Sequence, residues 1–120
     1  MIVGIGIDVL EIERVIDMLQ RYGERFKKRF FSSEEMDIVK DLPQKMAGRI
    51  AGKEAIYKAL SPSEIGLRWR EIKILEKNGK PVVSLSGKTL KVSNEKGIKA
   101  LYISISHTSN IAVAVAVAEG

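Results

Sequence analysis

The sequence predicts an α+β fold: a single domain over residues 1–120 in which a mostly antiparallel sheet packs against helices. Three observations carry this prediction. Apolar residues alternate with period two at both ends of the chain, in IVGIGIDV and IAVAVAVA. Segments with helical periodicity lie between them. An Asn-Gly pair also separates two further alternating stretches, the pattern of a hairpin turn. At 120 residues the chain can bury one substantial core but not two.

Ile2 to Val9 reads as the first strand, with Val3, Ile5, Ile7 and Val9 on one face and Gly4, Gly6 and Asp8 on the other. The glycine face is bare up to Asp8, so another backbone or a ligand can approach it closely. From Glu11 to Tyr22 the period becomes helical, with Ile12, Val15, Ile16 and Leu19 as the core stripe. The segment GERFKKRFF is basic. After it, Ser32 or Ser33 is placed to cap a helix whose first turn holds Glu34 and Glu35.

Asp41, Leu42 and Pro43 break that helix, and a stronger one runs from Gln44 to Leu60, stopping at SPSEIG. Trp69 to Leu75 and Val82 to Leu85 are the arms of a hairpin around EKNGKP, and a helix from Gly87 to Lys96 follows. Two strands, Ala100 to Ser106 and Ile111 to Ala118, are joined by HTSN. The last is apolar on both faces, which suits a central strand or a subunit contact.

Composition bounds the function. No apolar run is long enough to span a bilayer, the N-terminus lacks the layout of a signal peptide, and cysteine is absent. A cytoplasmic protein without disulfide or thiolate chemistry is expected. The net charge of +5 favours an anionic partner: a phosphorylated small molecule, an acidic protein or nucleic acid.

Two carboxylates stand out. Glu54 shares a helix face with Ala47, Ile50, Ala51, Tyr57 and Lys58, so it either lines a site or forms an i,i+4 ion pair with Lys58. Asp8 either caps the first helix or ends a strand as a ligand-site residue. Taken together, two acids without His or Cys suit a hard cation, and Mg²⁺ is held by carboxylates, waters and substrate phosphates. Arg49, Lys53, Lys80 and His107 supply cationic or hydrogen-bonding groups suited to a polyphosphate. On the first helix Arg14, Met18, Arg21 and Arg25 form a stripe, either a landing strip for an acidic, partly apolar helix or a solvated basic face.

These segments look familiar in combination. GIGIDVLEIERV, FSSEE, AGRIAGKEAIYKAL, NGKPVVSLSG and ISISHTSNIAVAVAVAE resemble, in that order and over nearly the whole chain, the holo-[acyl-carrier-protein] synthases. These are small members of the 4′-phosphopantetheinyl transferase family. The resemblance implies the family fold and a homotrimer with active sites between subunits. It implies Mg²⁺ ligands at Asp8 and Glu54, and a catalytic Lys53 beside the phosphates. Lys80, Pro81, His107 and Thr108 would line a coenzyme A site, and Arg14 would contact the carrier protein.

The implied reaction moves 4′-phosphopantetheine from coenzyme A to a serine of apo acyl carrier protein, a step serving fatty acid biosynthesis, and releases 3′,5′-ADP. A Mg²⁺-bound water or Asp8 would take the proton. The chain departs from the family pattern at Ile50, Gly52, Ile56 and the loop SPSEIGLR. A rival expectation is a basic nucleic-acid-binding module that stacks Phe26, Phe30 and Phe31 on bases.

Overall fold

The computed structural model describes residues 1–63 and 65–120. The chain runs β1 (Ile2–Glu11), α1 (Ile12–Tyr22), α2 (Glu24–Phe30), α3 (Ser33–Val39) and α4 (Pro43–Leu60). A short 3-10 turn at Trp69–Glu71 leads to β2 (Ile72–Lys77), β3 (Lys80–Leu85), α5 (Gly87–Glu95), β4 (Ala100–His107) and β5 (Ile111–Glu119). The architecture is the predicted α+β class, but the strands form two antiparallel sheets. One is β1-β5-β4, with the Ala/Val strand in the centre, and the other is the β2-β3 hairpin. Asn78 and Gly79 both take positive φ, as a type I′ hairpin turn requires.

The bare face of β1 meets α4. A methyl group at Gly6 would collide with the Ala55 carbonyl, and one at Gly4 with the Ala59 carbonyl. The glycines therefore let the helix backbone lie directly on the strand. Ala112, Ala114, Ala116 and Ala118 of β5 are fully buried and extend the small-residue bed under the helix. Directly paired residues of an antiparallel sheet share a face. Asp8 pairs with Ala114, and Ile105 and His107 pair with Ala114 and Ala112, so all three project to the α4 side. Gly52 sits where an added Cβ would press on the side-chain tips of Ile74 and Ile103.

Some expectations need correction. Ile16, assigned to the core stripe of α1, is 38% exposed, while Ile12 and Val15 are buried. Trp69 does not begin a strand: its carbonyl is taken by a lysine of α4, and the ladder starts at Ile72. The basic segment is helical as α2, and Phe26 and Phe31 are buried in the core formed with Val15, Met46 and Ile50. Neither ring is available to stack on a base. Of the two serines, Ser32 is the cap: its Oγ accepts from Glu35 N, and Glu35 Oε1 accepts from Ser32 N. The loop expectation at Glu64 lies outside the described residues.

Candidate active site

The seam between β1 and α4 brings Asp8 and Glu54 together. Asp8 acts directly on Glu54, whose carboxyl is pushed up to about 7. Desolvation is the largest cause, followed by the neighbouring Asp8; Lys58 and Arg14 oppose it. Two like charges held this close disfavour joint ionisation, and a cation between them removes the conflict. Neither alternative for these acids holds. The residue before α1 is Glu11 with no side-chain cap, so Asp8 caps nothing. Lys58 Nζ donates not to Glu54 but to Asp8 Oδ1 at 3.2 Å and Ile7 O at 3.0 Å.

Lys58 was missed as a site residue. The sequence showed it only as the i+4 neighbour of Glu54, and the signal that could have found it is its place one turn after an acid facing a glycine-bared strand. Arg14, from the stripe on α1, lies near enough to act on Glu54, which places the start of that stripe at the edge of the carboxylate pair. Among the described residues no three His, Asp or Glu side chains cluster as a metal cage. The donor set is two carboxylates, the chemistry of a hard cation that keeps waters and substrate oxygens as its other ligands.

A second group of the expected residues gathers elsewhere. Arg49, Pro81 and His107 line a cleft of about 220 Å³ with Gln44, Lys45 and Glu76. Arg49 Nε is buried without a hydrogen-bond partner, and burial lowers the guanidinium's pKa. Both facts leave it suited to an anion. His107 and Thr108 border an adjoining cleft with Ile12 and Ile16, and Thr108 Oγ1 accepts from Asn110 N and Ile111 N to shape the turn. Lys80 and Pro81 border a groove between β3 and β4. Arg49 and Glu54 are five residues apart, about 140° around α4, so the helix separates this group from the carboxylates.

The third group lies on α1 and α2. Met18 and Arg25 line a cleft of about 420 Å³ with Tyr22, Phe26, Arg29 and Phe30, an apolar floor with cationic edges. Arg21 is exposed on α1 and paired with Asp17 at 3.1 Å, whereas Arg25 lies on α2, so the expected stripe on one helix is broken at Gly23.

Lys53 is a correction. Its side chain is fully buried, and Nζ donates to Phe30 O at 2.5 Å, Glu35 Oε1 at 2.9 Å and Trp69 O at 2.9 Å. An ammonium has three donors and all are used inside the protein. Burial lowers its pKa, with Glu35 opposing. It does not reach a phosphate from this position.

The 4′-phosphopantetheinyl transferase superfamily profile matches residues 4–116. The chain belongs to that superfamily. It is 43% identical to the holo-[acyl-carrier-protein] synthase of Caldicellulosiruptor bescii over 99% of both chains. To that of Alkaliphilus metalliredigens it is 40% identical over 98% of this chain and 99% of the relative. The solved holo-[acyl-carrier-protein] synthase of Neisseria meningitidis superposes with a TM-score of 0.89 at 30% identity over the full length of both chains. That of Helicobacter pylori, solved in complex with coenzyme A, gives 0.85 at 36% identity over 96% of this chain and 99% of that one. As a member, the protein is a phosphopantetheinyl transferase. Among the described residues no helix is long and apolar enough to cross a membrane.

Proposed function

We propose that the protein is a cytoplasmic holo-[acyl-carrier-protein] synthase that moves 4′-phosphopantetheine from coenzyme A to a serine of an apo acyl carrier protein. The serine oxygen bonds to the β-phosphorus of coenzyme A, and the bond from that phosphorus to the bridging oxygen breaks. Adenosine 3′,5′-bisphosphate leaves with the electron pair, and the hydroxyl proton passes to Asp8 or to water. The observation that carries the reading is the contact of Asp8 with Glu54 beside Lys58 and Arg14.

Asp8 and Glu54 would hold Mg²⁺, which when bound supplies charge neutralisation at the pyrophosphate. Lys58, held by Asp8 and the Ile7 carbonyl, places a further positive charge at the same edge. Arg49, with its unpartnered Nε, and His107 suit the remaining phosphate and nucleoside of coenzyme A, with Lys80, Pro81 and Thr108 bordering them.

One coenzyme molecule touching both groups needs them brought together from two copies of the chain. Ile5, Ile7 and Val9 are 58–64% exposed on the face of β1 away from α4, an apolar surface suited to burial against another copy. A homotrimer with interfacial active sites fits both facts. Arg14, Met18, Arg21 and Arg25 would receive the carrier, which is acidic and helical in this reading.

The test mixes the protein with apo carrier, coenzyme A and Mg²⁺ and measures the carrier's mass. Gain of one phosphopantetheine group that EDTA abolishes is expected; an unmodified carrier overturns the reading. Arg14→Glu should raise the carrier KM about tenfold and change the coenzyme A KM much less, since a docking charge acts mainly on encounter while this one also reaches Glu54. An unchanged carrier KM removes Arg14 from the docking surface.

A further inference from the structure

Lys53 and Glu35 form a buried knot that the proposed chemistry does not use. Both side chains are fully buried. Glu35 Oε1 accepts from Ser32 N, Ser32 Oγ and Lys53 Nζ, and Oε2 accepts from Ile74 N at 3.0 Å. Through the ammonium, α4 is tied to the last carbonyl of α2, to α3 and to the carbonyl of Trp69; through Glu35 the tie reaches β2. A buried charge pair is weak evidence for stability by itself, since a well-packed apolar pair of similar volume often serves as well. Its use must lie in what it positions.

The partners say what that is. α2 has seven residues and starts at Gly23 with φ 50 and no side-chain cap, so it is too short to hold its own place. Lys53 grips it at Phe30 O, where the helix dipole favours a cation. The ring of that same Phe30 packs on Trp69 with centroids 4.5 Å apart and on Phe26 at 5.1 Å, and both phenylalanines line the cleft on α1 and α2. The next residue of α4, Glu54, is turned about 100° to meet Asp8. The glycine seam fixes α4 against β1, and the knot fixes α2 against α4.

We propose that Lys53 is a positioning residue: its buried ammonium sets the offset between the carrier-docking cleft of α1–α2 and the Asp8–Glu54 pair, so that a docked carrier presents its serine in line with the reacting phosphorus. The inference rests on the carrier-docking reading above. It assigns Lys53 no contact with substrate. Small errors in alignment are costly for a bimolecular transfer, and a displacement of about 1 Å can reduce rate about 10²-fold.

The test is the pair Lys53→Met with Glu35→Gln. It removes both charges together, and Gln at position 35 keeps an acceptor for the helix cap. Where that pair gives no folded protein, Lys53→Gln with Glu35→Gln makes the same comparison. Mg²⁺–coenzyme A binding by calorimetry counts intact sites, and steady-state transfer gives kcat and both KM values. The expected result is full binding stoichiometry, coenzyme A and carrier KM values within about twofold, and kcat lowered about 10²-fold.

Glu35→Gln alone leaves the ammonium without its counter-charge, which lowers stability, but keeps its bonds to Phe30 and Trp69, so kcat per intact site should fall much less than in the pair. Undiminished kcat in the pair overturns the inference. So does a loss that only tracks the loss of coenzyme A sites, or an equal loss in Glu35→Gln alone. Absence of transfer by the wild-type protein in the same assay removes the underlying reading instead.

Discussion

Lys53 and Glu54 are neighbours in one helix and live in opposite worlds. The lysine is fully buried with its charge matched by Glu35 and its donors all used, whereas the glutamate is only partly buried, beside another carboxylate. A satisfied buried charge holds architecture, because any ligand that recruited it would have to break protein hydrogen bonds first. A half-buried carboxyl, pushed from its ordinary ionisation by burial and a neighbouring acid, is poised to bind a cation. The difference separates scaffold from site more sharply than the residue types do, since a lysine near phosphates is chemically as reasonable as a glutamate near Mg²⁺.

The largest effect should come from Glu54→Gln. Losing one of two carboxylate ligands should lower Mg²⁺-dependent transfer by at least about 10²-fold, with the circular dichroism spectrum unchanged. Wild-type turnover would place Glu54 with the scaffold and break the comparison. Lys53→Met alone should do the reverse first: it leaves Glu35 buried and unpaired, at a cost of about 3–5 kcal/mol read as a lower urea midpoint at unchanged m-value. A midpoint equal to wild type would mean that the knot is not under load.

The smallest effect is a pH dependence. The folded carboxyl of Glu54 at about 7 lies above its ordinary value of 4.5. The stability this raised group contributes is therefore present below that ordinary value and lost as pH rises through about 7. Mg²⁺ competes with the proton on Glu54, so the rise in melting temperature on adding Mg²⁺ should be larger at pH 8 than at pH 6. Glu54→Gln should flatten the difference. Equal Mg²⁺ shifts at both pH values would detach the metal from this carboxyl.

The meeting of Asp8 with Glu54 was legible in the sequence because small residues mark close approach. Gly4 and Gly6 announce a strand that something lies upon, and the alanine-rich helix is the element small enough to do so. The serine cap, the Asn-Gly turn and the central Ala/Val strand were readable for similar local reasons. Lys53 was not, because two of its three acceptors are backbone carbonyls, at Phe30 and Trp69, and a carbonyl has no letter in the sequence. The Arg49–His107 cleft was half legible. Its members were named, but that α4 stands between them and the carboxylates follows from the helix lying flat on the sheet. Ile16 was misplaced because the stripe on α1 is narrower than the helical period alone implies.

The contact between Trp69 and Phe30 has an optical consequence. The chain contains one tryptophan, and its indole lies against the phenylalanine that floors the cleft on α2. Its emission therefore reports from a single place, without subtraction of any other tryptophan. A macromolecule seating on that cleft would change the polarity and mobility around the indole, whereas a nucleotide bound beside Arg49 and His107 would meet a different face of α4. The unlabelled protein can in this way show by fluorescence when the cleft on α1 and α2 is filled, whatever occupies the other surface.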